Sequence, residues 1–120
     1  MKVIEIAFVA YPITDVARAR KFYEGTLGLK QTDFSEGDNF VWIEYDIGPG
    51  TLGIGKSQGW APSPHGGSAA LEVEDFDAAI ACLRADGVEF VREPMDLSDC
   101  RMAMIHDPDG NTITIHKRIK

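Results

Sequence analysis

A carboxylate and an imidazole suited to proton transfer, Glu72 and His116, stand in two strand-like segments of this 120-residue sequence. Imidazole titrates near neutrality and a neighbouring carboxylate fixes its tautomer, so the two would form an acid/base pair if their strand ends meet. The other two histidines are less promising. His65 sits in a Gly/Pro-rich connection and His106 directly precedes a turn, and both are expected to be solvated. Cys82 and Cys100 belong to no CxxC pair and have no histidine at metal-ligand spacing. Both are expected to be reduced, with Cys82 in the core because free cysteine is among the most buried residue types. Ser57, Ser68 and Ser98 have no Ser-His-acid context, no glycine-rich loop precedes a helix as a phosphate cradle, and Tyr11, Tyr23 and Tyr45 belong to no catalytic motif in the sequence. Trp60, in the connection, either stacks on a planar or cationic ligand or anchors onto protein. Trp42 alternates with Val41 and Ile43, where core or dimer packing is expected.

The elements that must position these groups follow from periodicity. Residues 3–11 are apolar and β-branched enough for a strand, closed by Pro12. Thr14 or Asp15 caps a helix carrying Val16, Ala19, Phe22, Tyr23, Thr26 and Leu27 at helical spacing, and Gly28 stops it. Strands are expected over 29–34, 40–47 and 51–56. A connection (57–67) precedes a second round: a strand over 68–73, then a helix capped by Asp75 with Phe76, Ala79, Ile80 and Leu83 on one face and ended by Gly87. Strands over 88–91, 101–106 and 112–116 complete it, the last two joined by the Asp-Pro-Asp-Gly-Asn turn 107–111.

The order β-α-β-β-β therefore occurs twice, with a period near 60: Asp15 falls on Asp75, Ala19 on Ala79 and Gly50 on Gly110. One sheet with one helix covers only one face, so two such units are expected to cooperate in closing the other. The expected domain is 1–120, as module 1 (1–57), a linker (58–67) and module 2 (68–120). Twelve Lys and Arg against nineteen Asp and Glu give a net charge of −7, with the one basic cluster at His116, Lys117, Arg118 and Lys120. That balance argues against nucleic acid, which needs clustered cations, and favours neutral or cationic ligands. No apolar run approaches bilayer length, so no membrane partner is expected and a cytoplasmic location is.

The run TDVARARKFYEGTLGL (14–29) resembles the first helix of the vicinal oxygen chelate superfamily, which includes glyoxalase, bleomycin resistance protein and extradiol dioxygenase. VWIEYDIGPGTLGIG (41–55), DGVEF (86–90) and HDPDGNTITI (106–115) are similar to later parts of the same pattern, so the likeness spans essentially the whole chain. It implies an α+β fold of two βαβββ modules, with curved mixed sheets enclosing a cleft, and often a homodimer. It also implies that metal-dependent members place His or Glu on the first and last strands of each half, where a divalent ion chelates two neighbouring substrate oxygens. Here those positions fall on Phe8, Gly53 (or Gly55), Ser68 and Thr114. None is an ordinary metal ligand, so no metal and no other cofactor is expected.

Alternation puts Thr112, Thr114 and His116 on one face, with Met102 and Met104 beside them and Ile6, Phe8 and Ala10 contributed by the first strand. Such a lining is apolar with a few hydroxyls, as in small-molecule pockets, although a closed core reads the same way. The expected ligand-binding residues are Phe8, Trp42, Gly53, Trp60, Ser68, Met102, Met104, Thr114 and His116. The leading expectation is a metal-free protein that sequesters an apolar or cationic small molecule such as a toxic compound or antibiotic. The alternatives are a glyoxalase-like lyase or isomerase, or a dioxygenase, using a relocated metal or the Glu72 and His116 pair, and a collapsed module serving protein association.

Overall fold

A computed structural model describes residues 2 and 4–119. The chain divides into two compact units, residues 1–62 and 63–120, each with one four-stranded mixed sheet. Unit 1 contains β1 (Val9–Pro12), α1 (Val16–Arg20) continued by a π-helical turn (Lys21–Thr26), β2 (Gln31–Glu36), β3 (Phe40–Ile47) and β4 (Gly50–Ser57). Unit 2 contains β5 (Ala69–Glu72), α2 (Phe76–Ala85), β6 (Phe90–Asp96), β7 (Cys100–His106) and β8 (Thr112–Arg118). The strand orders are β1-β4-β3-β2 and β5-β8-β7-β6, the same topology twice, with the first strand parallel to the last in each.

The helix punctuation is also repeated. Asp15 and Asp75 each accept a hydrogen bond from the amide three residues on, Arg18 and Ala78, both at 3.0 Å. Gly28 and Gly87 end the two helices at φ of 72° and 71°, the left-handed conformation that glycine adopts without a Cβ clash. Between cap and stop the first helix departs from expectation. The Leu27 amide donates to the Phe22 carbonyl five residues back, so the regular α-helix expected to Leu27 loosens into a π turn. That turn brings Glu24 to accept the Tyr45 hydroxyl at 2.9 Å and stacks Tyr23 on Tyr45 with ring centroids 6.1 Å apart. Burial and the Glu24 carboxylate both push the Tyr45 phenol pKa well up, so it stays protonated.

One face of each sheet carries an apolar core layer. In unit 1, Tyr11, Ile43, Tyr45, Leu52 and Ile54 share parity and are all buried. In unit 2, Ala103, Ile105, Ile113 and Ile115 form the equivalent layer, and α2 lies on β8 with Phe76 and Leu83 buried.

Three expectations are corrected. The first strand does not run over 3–11: Val3 lies outside the described residues, and pairing begins at Val9 opposite Leu52. β4 starts at Gly50, so residues 4–6 have no partner on it, and Ile6 is 81% exposed where it was expected to point inward. Cys82 is exposed, because α2 buries the stripe through Phe76 and Leu83 and Cys82 falls beside it; Cys100 is the buried one. β6 runs past Val91 to Asp96, carrying Pro94 across a register slip between Arg92 and Met95, which an edge strand tolerates.

Candidate functional site

The face of the first sheet turned away from α1 carries an aromatic cluster. β4 presents Gly53 and Gly55 on that face, opposite Glu44 and Trp42 of β3. Glycine in a strand marks a close approach, and here the Trp42 indole lies directly on the two. A Cβ built on Gly53 would fall 2.5 Å from two Trp42 ring carbons, and one on Gly55 would fall 2.9 Å from Trp60 and 3.0 Å from Trp42. Trp60 stacks beside Trp42 at 6.5 Å and 28°, and Phe8 meets Trp42 edge-on at 5.3 Å and 73°. The Trp42 indole N–H donates to Glu44 Oε2 at 2.7 Å, which fixes the ring and leaves a carboxylate at its edge. Phe8 is half exposed, at 50%. Three aromatic rings with an adjacent anion are chemically suited to planar and cationic groups.

The positions where the resemblance would put metal ligands do not suit a divalent ion. Phe8 supplies a phenyl ring, and Gly53 has no side chain and lies under Trp42. In unit 2, Ser68 Oγ and Thr114 Oγ1 hydrogen-bond to each other at 3.1 Å. Two neutral hydroxyls are weak donors for such an ion. Among the described residues, no group of three or more His, Cys, Asp or Glu converges as a metal site.

The second sheet's corresponding face follows the expected alternation. Met102 pairs with His116, Met104 with Thr114 and His106 with Thr112, so these six share one side. Thr112 and Thr114 are buried, while Met102, Met104 and His116 are half-buried. Glu72 pairs with His116 in the parallel ladder, and the strand ends do meet: His116 Nδ1 lies 2.6 Å from Glu72 Oε1. Glu72 Oε2 also accepts the Arg118 amide at 2.7 Å, and that amide, then His116, hold the carboxylate below its usual pKa. His106, expected to be solvated, instead pairs with Glu89 through Nδ1, and its Nε2 is buried without a partner. The buried Cys100 thiol has its pKa raised by burial and by Asp99. His65 is exposed in the connection, as expected.

Of the expected residues, unit 1 gathers Phe8, Trp42, Gly53 and Trp60, and unit 2 gathers Ser68, Met102, Met104, Thr114 and His116 with Glu72. Trp42 is not core packing, since its indole lies on the glycine face. Glu44 was not among the expected site residues, although its parity with Trp42 two positions away would have placed it. A depression of about 440 Å³ at the end of the β2–β3 hairpin is lined by Asp38, Phe40, Val41 and Lys56 and by none of the residues of the aromatic cluster.

Residues 5–115 match the model of the Glyoxalase/Bleomycin resistance protein/Dioxygenase superfamily. Lactoylglutathione lyase of Haemophilus influenzae is 27% identical over 121 residues, covering 92% of this chain and 90% of that one. Among solved structures, an antibiotic binding protein from Streptomyces sp. CB03234 superposes with a TM-score of 0.82 at 25% identity, covering 98% of both chains. The trypanothione-dependent glyoxalase I of Leishmania major shares the fold, with a TM-score of 0.79 at 23% identity, covering 96% of this chain and 87% of that one. Among the described residues no helix is long and apolar enough to cross a membrane.

Proposed function

Because the chain belongs to the Glyoxalase/Bleomycin resistance protein/Dioxygenase superfamily, we propose that it works without a metal, as a cytoplasmic protein that binds and sequesters a planar apolar or cationic small molecule. The observation that carries this reading is the Trp42 indole, fixed by Glu44 over Gly53 and flanked by Phe8 and Trp60. A ligand that lies along Phe8 and Trp60 buries apolar surface there, and a positive charge on it is attracted by the rings and by Glu44. The antibiotic-binding relative and the net charge of −7 support the same direction. The ligand's removal from solution is the activity; no bond need change.

Two outcomes are expected. Protein incubated with excess zinc, nickel, manganese or iron(II) and then desalted will carry far less than one metal per chain in elemental analysis. One bound metal per chain would overturn the metal-free reading. Acridine orange, a planar aromatic cation, will quench the tryptophan fluorescence saturably, and Phe8→Ala and Trp60→Ala will each weaken its binding roughly 3- to 30-fold, the range of an aromatic or cation contact. Equal affinity for the wild type and both variants would show that the cluster does not bind the probe.

A second reading, a glyoxalase-like lyase or isomerase or a dioxygenase, is favoured by one observation, the 2.6 Å approach of His116 to Glu72. Turnover of the methylglyoxal–glutathione adduct or of a catechol, lost in His116→Ala, would support it. The same overall reading takes the chain as a homodimer, and sedimentation of the free chain as a monomer at micromolar concentration would contradict that.

A further inference from the structure

We infer that His116 and Glu72 form a proton-accepting site for a small molecule bearing an acidic hydroxyl, a phenol or an enol. The inference rests on the reading of the chain as a small-molecule binder, but it concerns unit 2 and needs none of the aromatic cluster.

The geometry fixes the imidazole's chemistry. Glu72 is held from two sides, by the Arg118 amide at 2.7 Å and by His116 Nδ1 at 2.6 Å. A carboxylate accepts only, so Nδ1 carries a proton, and in its neutral form the ring presents its lone pair at Nε2. No described residue hydrogen-bonds to Nε2, and the His116 side chain keeps 25% of its surface exposed. The His106 and Glu89 pair at the other end of the same sheet face shows the contrast. There the imidazole is also held by a carboxylate through Nδ1, yet Nε2 is buried, so no ligand can reach it. Of the two histidine–carboxylate pairs, His116 is the one open to a partner.

The surroundings select the ligand. Met102 faces His116 across the ladder, and Met104 faces Thr114 beside it. Thioether side chains conform to a flat apolar frame of varied shape. Thr114 and Ser68 hydrogen-bond to each other at 3.1 Å, which uses one of the two hydroxyl protons and leaves the other to donate. In the neutral ring the unused His116 nitrogen on this stretch is an acceptor. A hydroxyl whose acidity approaches that of imidazolium matches it: the O–H bond breaks, its electron pair stays on oxygen, and the proton forms the Nε2–H bond. The products are a phenolate or enolate and an imidazolium whose positive charge is stabilised by Glu72.

The test uses 4-nitrophenol with the full chain, at a pH where the free probe is mainly neutral phenol. Wild-type protein is expected to raise the phenolate absorption band saturably, and His116→Gln to bind the probe roughly 10- to 100-fold more weakly, the worth of a charge-assisted hydrogen bond. Glu72→Gln should leave binding measurable and suppress the phenolate band. Ring-nitrogen chemical shifts of wild-type His116 should move from the neutral to the protonated pattern as the probe saturates, a readout that needs no variant to fold. Absence of a phenolate band with wild-type protein, or an unchanged band in His116→Gln, would overturn the inference. Acridine orange titrated into the same samples separates the two readings. Dye binding without phenolate formation sinks this site alone, and phenolate formation without dye binding sinks the aromatic cluster alone.

Discussion

Asp107→Ala will unfold well below the wild type, with an expected loss of about 2–4 kcal/mol, or roughly 8–16 °C in a thermal scan. Asp107 is 4% exposed and its carboxylate accepts three hydrogen bonds, from the Asp109 amide at 2.9 Å, the Asn111 amide at 2.8 Å and Asn111 Nδ2 at 2.8 Å. Hydrogen bonds to a charged group each contribute about 1.5–3 kcal/mol, and three to one carboxylate are not additive, which sets the range. Asn111, 2% exposed, donates two of these bonds, through its amide and Nδ2, and both donors lose their acceptor with the substitution. The effect reaches beyond the turn. Asn111 Oδ1 accepts the Ser63 amide at 3.4 Å and Thr112 Oγ1 donates to the Pro64 carbonyl at 3.0 Å, so the turn also ties down the connection. It sets the start of β8, the strand that carries Thr114 and His116. Circular dichroism and calorimetry on the variant check the loss. A change within about 0.5 kcal/mol, ordinary for a surface replacement, would mean that the backbone alone holds the turn.

That turn was legible as a turn but not as a lock, because the pattern Asp-Pro-Asp-Gly-Asn specifies local geometry and says nothing of burial. The same division runs through the molecule. Caps and stops act within four residues, so Asp15, Gly28, Asp75 and Gly87 could be placed from the sequence, and with them the doubled β-α-β-β-β order. Strand alternation is equally local, and it put Met102, Met104, Thr114 and His116 on one face as observed. Features decided by a partner far along the chain were not legible. The π turn exists where Glu24 meets Tyr45, 21 residues on. The first strand pairs only from Val9, opposite Leu52 of β4, and Cys82 is exposed because the buried stripe of α2 runs through Phe76 and Leu83. The meeting of Glu72 with His116 depends on a parallel register across 44 residues. Gly53 and Gly55 are the instructive case: in the sequence the missing side chain is only a missing metal ligand, while its positive role, room for Trp42, depends on the cross-strand register.

Gly53→Ala tests that role, and its sign is the informative part. Gly53 is not in the left-handed region, so alanine is compatible with its backbone, and in an open strand the change would stabilise by about 0.4–1 kcal/mol through the unfolded state. Here the new methyl would sit 2.5 Å from two Trp42 ring carbons, a separation that real contacts do not reach. The ring is not a loose end that can give: Glu44 holds its N–H at 2.7 Å, with Phe8 and Trp60 on its sides. Gly53→Ala is therefore expected to destabilise by about 1–3 kcal/mol, as overpacking does, and to shift the tryptophan emission as Trp42 leaves Glu44. In a Trp42→Ala background the obstacle is gone, and the same substitution should become neutral or stabilising by up to about 1 kcal/mol. Denaturant unfolding of the four proteins measures the reversal; an equal cost in both backgrounds would show that Trp42 does not occupy the space over Gly53. The result bears on function as well. A carboxylate or imidazole installed at position 53 must begin with the same Cβ, so restoring a metal ligand there has to evict Trp42 and dismantle the aromatic cluster. On this geometry metal ligation at position 53 and the stacked Trp42 platform exclude each other, and the glycine commits unit 1 to the second.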